Sequence, residues 1–114
     1  MKHDFKIYFR NKKQWIEVYL EDVSPKTFKK HGGGRWGYFL PTWEHEKDGI
    51  FGEIHFVKSS IRLDTVAHEV FHAVNEWAWS NGEVVTRKNE EFYAKLDDEI
   101  FRKIELKLKK LGLI

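Results

Sequence analysis

The sequence predicts an α+β domain: a small mixed or antiparallel β-sheet followed by two helices. Three observations predict it. Residues 1–58 contain short runs that alternate apolar and polar side chains and are broken by turn residues, a period of two that suits half-buried strands. Residues 61–79 and 89–111 instead repeat apolar residues every three or four positions, the period of a helix with one buried face. The chain has 114 residues, of which 41% are hydrophobic and 16% aromatic, enough for one core and too short for two. A single domain spanning 1–114 is therefore expected.

The elements follow in order. Phe5 to Arg10 carries Phe5, Ile7 and Phe9 at alternate positions, and Trp15 to Leu20 does the same with Trp15 or Ile16, Val18 and Leu20. Asn11-Lys12-Lys13 lies between them, so the two runs read as a β-hairpin. Ser24-Pro25 has the N-cap and first-position chemistry of a short helical piece, which Gly32 would end. Tyr38 to Trp43 and Ile50 to Val57 form a second strand pair, with Asp48-Gly49 as a turn signal. From Ile61 to Trp79, Leu63, Val66, Val70, Val74 and Trp77 lie on one helical face, and Asn81-Gly82 ends that helix. A second helix starts at Asn89, a good N-cap residue followed by Glu90 and Glu91 in the first turn. Phe92, Leu96, Ile100, Ile104, Leu108 and Leu111 form its apolar stripe, and Gly112 follows as a stop.

Composition excludes several classes. There is no cysteine, so there is no disulfide framework and no Cys-ligated zinc or iron–sulfur site; a bound metal would need His, Asp or Glu ligands. Twenty Lys and Arg against 18 Asp and Glu leave a formal net charge of +2, and this near balance argues against nucleic acid as a partner. No apolar run approaches the roughly 20 residues needed to cross a bilayer. Met1-Lys2-His3-Asp4-Phe5-Lys6 lacks the apolar stretch of a signal peptide, so a cytoplasmic protein without membrane contact is expected. His31-Gly32-Gly33-Gly34 resembles an oxyanion-hole stretch of lipase-type hydrolases, but the G-x-S-x-G elbow that would accompany it is missing.

The informative residues are His68-Glu69-Val70-Phe71-His72, an H-E-x-x-H pattern inside the first long helix. Histidines four apart project from one helical face, one turn above the other, and can occupy two corners of a tetrahedral zinc site. They fall opposite Leu63, Val70, Val74 and Trp77, away from the main apolar face. Glu69 lies about 100° round the helix from His68, where it can reach a water on the metal without ligating it. A catalytic zinc needs a third protein ligand and an open position. Glu90 and Glu91, which open the second helix, are the candidates if the two helices pack antiparallel. Eighteen residues separate His72 from Glu91, and Ala94 one turn on would let the helices approach. Glu90 points about 100° away from Glu91. Either carboxylate also suits a helix N-terminus for its own sake.

At these residues the chain resembles a known class. His68-Glu69-x-x-His72 followed by Glu91 is similar to the gluzincin arrangement of zinc metallopeptidases. More closely, Thr65 to Ala73 together with Asn89-Glu90-Glu91-Phe92-Tyr93-Ala94-Lys95-Leu96 resembles small phage and prophage metallopeptidases, over about residues 50 to 100. The resemblance implies a minimal zincin-like domain in which His68, His72 and Glu91 bind Zn²⁺, Glu69 is the general base, and a peptide or protein is the substrate. It implies a phage protein acting in a host cytoplasm. It also implies an edge strand along the cleft that pairs with extended substrate, for which Ile50 to Lys58 is the candidate.

Four further residues have a functional and a plain reading. His55 could polarise a substrate carbonyl or lie exposed. Asp64, one turn before His68, could orient that ring or cap the helix. Tyr93 could donate to an oxyanion, although a core aromatic is the plainer reading. Asp98, two turns after Glu91, could support the site or be solvated. Two other functions stay open: a non-catalytic binding module with a structural zinc, and a nucleic-acid-associated protein using the basic patch of Lys26, Lys29, Lys30, His31 and Arg35 beside Trp36 and Tyr38.

Overall fold

The structure, a computed structural model, describes residues 3–9, 13–23, 36–41 and 49–114. Among these, four strands, β1 (Phe5–Phe9), β2 (Gln14–Glu21), β3 (Gly37–Pro41) and β4 (Ile50–Val57), precede a single 3-10 turn and two helices, α1 (Leu63–Ser80) and α2 (Glu90–Lys110). This is the small α+β fold with a mixed sheet that the sequence predicts. The short helical piece expected from Ser24, the His31 glycine stretch and the basic patch up to Arg35 lie outside the described residues, as do the hairpin residues Asn11 and Lys12.

Alternation in β1 and β2 does what its period requires. The strands pair antiparallel with Phe5 opposite Val18 and Ile7 opposite Ile16, so one face of the hairpin is apolar save for Gln14 opposite Phe9. The sheet order is β1-β2-β4-β3, with β4 parallel to β2 and antiparallel to β3. Ile50–Val57 is therefore an interior strand, hydrogen-bonded on both sides, and not the edge strand expected along the cleft. Its near-continuous burial from Ile54 to Val57 is what a central strand shows. Among the described residues, the edge on that side of the sheet is β3. Gly49 precedes β4 with φ of 88°, a left-handed conformation that glycine adopts freely, and a Cβ there would collide with the Trp15 ring.

Both helices cover one face of the sheet. Ile16, Val18, Ile54 and Phe56 meet Val66, Val70, Val74 and Trp77 of α1 and Leu96, Ile100, Ile104 and Leu108 of α2 in one core. Helix α1 packs over β3 and β4, and α2 over β1. Two polar ties fix these positions: Trp77 Nε1 donates to Gln14 Oε1 at 3.0 Å, and Lys103 Nζ donates to the Tyr8 carbonyl at 2.7 Å.

The helix ends differ in detail from expectation. The residue before α1 is Arg62, in extended conformation, so Asp64 is not the cap; it lies in the first turn. Its carboxylate accepts from the Thr65 backbone N–H at 2.9 Å and from Arg62 Nε at 3.2 Å. Asn89 does precede α2, but its side chain does not cap the helix. It accepts from the Thr86 N–H at 2.7 Å and donates to the Val84 carbonyl at 3.0 Å, folding the α1–α2 loop instead. No helix among the described residues is long and apolar enough to cross a membrane.

Candidate metal centre

The α1 sequence places its apolar residues on the core side, and the H-E-x-x-H spacing then fixes the rest. His68 is half-buried and His72 exposed, on the side of the helix turned away from Val66, Val70 and Val74. The Nε2 atoms of the two rings are 3.0 Å apart, with the ring planes at 78°. Two nitrogens bound to one zinc at about 2.0–2.1 Å with a tetrahedral angle would stand about 3.3 Å apart. The pair stands at nearly the spacing a shared metal imposes, and its donors fit zinc.

Glu69 is 2% exposed. It follows Thr65 by one turn on the same flank of α1, and Thr65 lies against Gly37 of β3: a Cβ on Gly37 would come within 2.9 Å of Thr65 Cγ2. The acid is therefore set between the histidine face and the edge strand, beside the histidines and not among them.

Glu91 is exposed in the first turn of α2. It lines a groove between the helices together with Glu90, Phe71 and Asn75. Among the described residues, no group of three or more His, Asp or Glu side chains that could hold a metal is gathered. The structure brings His68 and His72 together and does not bring Glu91 to them.

The remaining candidates fall elsewhere. Tyr93 is buried, packs edge-on against Phe92 and Trp77, and its hydroxyl donates to the Glu83 carboxylate. It is a core aromatic with a polar tether. Asp98 is exposed and pairs with Arg102 one turn on, at 3.0 Å. His55 takes neither role foreseen for it: it is 7% exposed, on the sheet face opposite the helices. Register puts it between Tyr19 of β2 and Tyr38 of β3, and its ring stacks on both with centroids 4.5 Å away. Its Nδ1 lies 2.7 Å from Glu21 Oε1 and its Nε2 2.8 Å from Glu53 Oε1. Carboxylates only accept, so both bonds form together when both ring nitrogens carry hydrogen. Burial, the hydrogen bond to Glu17 and the surrounding carboxylates push the Tyr19 hydroxyl well above its ordinary value; burial and Glu21 and Glu53 raise Tyr38 likewise. Each ring nitrogen is engaged, so His55 is a structural link between strands.

Sequence reasoning missed two acids near the histidines. Glu76 and Glu83 border a shallow depression that includes His72, Trp79 and Val84. The signal for Glu76 was present, since it follows His72 by four residues on the same helix. Glu83 had none, because its position depends on the loop fold set by Asn89. Compared with family models, with curated proteins and with solved structures, the chain matches none.

Proposed function

We propose that the chain is a zinc-dependent hydrolase that cleaves peptide bonds. The observation that carries this reading is the convergence of the His68 and His72 Nε2 atoms at 3.0 Å, with the buried Glu69 carboxyl beside them. Bound there, zinc would supply a Lewis acid that acidifies water and polarises a carbonyl. His68 and His72 would hold it through their neutral Nε2 lone pairs, and Glu91 would be the third ligand, drawn in from the α2 N-terminus. Glu69 would accept a proton from the attacking water and deliver it to the leaving amine. Edge strand β3, against which α1 packs, is the strand that would align an extended substrate by backbone hydrogen bonds.

Elemental analysis of the purified chain, set beside cleavage of denatured casein, tests this. The wild type should hold about one zinc and cleave. Glu69→Gln should keep the zinc and lose at least about 100-fold in rate, the contribution of a positioned general base. A chain that takes up no zinc, or one whose cleavage survives Glu69→Gln, would overturn the reading.

A further inference from the structure

We propose that the groove between α1 and α2 is the docking site for the polypeptide on which this chain acts, and that it takes segments whose apolar side chains alternate with lysine or arginine. The inference rests on the hydrolase reading for the word substrate, and on the groove itself for the chemistry of the occupant. The groove encloses about 770 Å³, within the range of sites that hold side chains of a ligand. Its floor is apolar: Ala67 and Phe71 from α1 face Ala94 and Phe101 from α2. Phe71 is 60% exposed, a large aromatic face left in water.

The rim is predominantly acidic. Among the described residues, Glu90, Glu91, Asp97 and Asp98 line it, with Lys95 as the cation. Arg102 answers Asp98 from the outer side. Burial, and then the like charge of the neighbouring Asp98, raise the Asp97 carboxyl above its ordinary range; a cation entering the groove would offset the repulsion between these two acids. A neutral or acidic segment would cover the same apolar floor without relieving this repulsion.

The groove also leads to the candidate centre. The Phe71 ring centroid lies 6.4 Å from that of His72. Asn75 and Val85 line both the groove and the depression beside His72, whose walls include the exposed Trp79 and Val84. One extended segment can therefore run from the acidic rim to the histidine pair on continuous surface.

The test is fluorescence anisotropy with three labelled peptides of equal length, in which leucine alternates with lysine, serine or glutamate. Binding is measured to the wild type in EDTA and to Glu69→Gln with zinc. The lysine peptide should bind at least about tenfold more tightly than the other two, with a preference that shrinks as salt rises. Phe71→Ser should weaken all binding about tenfold, and the pair Glu90→Gln, Asp97→Asn should remove the lysine preference while sparing the serine peptide. Equal binding of the three peptides overturns the proposal, as does a preference that survives both sets of changes. A dimer that Phe71→Ser converts to monomer also overturns it, by making the groove a contact between copies. Failure of the hydrolase reading would look different: the lysine preference intact in EDTA, with neither zinc uptake nor cleavage.

Discussion

His68 and His72 present their Nε2 atoms to one another at 3.0 Å across one turn of α1, on the side turned away from the core. Without a metal, one nitrogen must carry the hydrogen that the other accepts. With a metal, both must offer lone pairs, so zinc binding displaces protons and weakens as pH falls. His68→Ala and His72→Ala should each lower zinc affinity by more than about 100-fold, beyond the 10–100-fold cost of losing an outer partner. Competition with a chromophoric chelator measures this. An unchanged affinity in either variant would remove that histidine from the ligand set.

Glu91 and Glu90 are neighbours about 100° apart on α2, and only one can turn toward a metal held by α1. Glu91→Ala should cost zinc affinity on the scale of a lost ligand, and Glu90→Ala should leave it within about threefold. X-ray absorption of the zinc-loaded chain should count one fewer light-atom neighbour in the Glu91 variant. If neither acid matters, Glu76 and Glu83, which border the same depression as His72, become the acids to change.

What the sequence made legible was local. The hairpin of β1 and β2 followed from alternation alone, and α1 and α2 from their period, within a residue or two of their observed ends. The place of β4 between β2 and β3 did not follow, because a parallel pairing has no short turn to announce it. Asn89 was legible as a residue that precedes a helix, but not as one whose amide would choose Thr86 and Val84. The same division runs through the site. The histidine pair is set by a spacing of four on one helix, whereas a third ligand depends on how α2 is set against α1. His55 was misread because its partners, Tyr19, Tyr38, Glu21 and Glu53, come from three strands whose register the sequence does not state.

His55 predicts a stability effect separate from the metal. His55→Phe keeps a ring between Tyr19 and Tyr38 but leaves the Glu21 and Glu53 carboxylates without their donor. It should cost about 2 kcal/mol, discounted for the partial exposure of both acids. His55→Ala should cost about 1 kcal/mol more, from the two lost ring contacts. Thermal unfolding measures both, and zinc content per folded chain should not change, since the ring lies on the opposite face of the sheet from α1. Loss of zinc in a folded His55 variant would contradict the structural role.

Tyr19 predicts how the fold responds to alkali. Its hydroxyl is raised above the ordinary 10.0, first by burial and then by the hydrogen bond to Glu17, so the folded chain keeps a proton that the unfolded chain gives up. Stability from this group is complete below about pH 10 and is lost as pH rises beyond it. Tyr38 acts in the same direction. Tyr19→Phe should cost about 1 kcal/mol at neutral pH, the worth of one hydrogen bond, and should flatten the alkaline fall. Melting temperatures followed from neutral pH into alkali should therefore show the variant curve approaching that of the wild type. Parallel curves would mean that the hydroxyl is not held by its carboxylate neighbours.

Gly37 couples the edge strand to the helix that bears His68 and His72. A Cβ there would come within 2.9 Å of Thr65 Cγ2, 3.1 Å of Phe56 Cδ1 and 3.2 Å of the His55 carbonyl oxygen. Thr65 precedes His68 by three residues and Glu69 by four, so any shift that relieves the clash moves the helix bearing the histidines relative to β3. Gly37→Ala should cost about 1–3 kcal/mol, the range for overpacking, and should lower zinc-dependent cleavage more than zinc affinity. The proposed ligands come from α1 and the start of α2, whereas cleavage would also need the strand beside α1. Adding Thr65→Ser removes the nearest methyl and should recover part of both losses, a coupling that a double-mutant cycle measures. Additive effects of the two changes would mean that the strand and the helix are not held together through this contact.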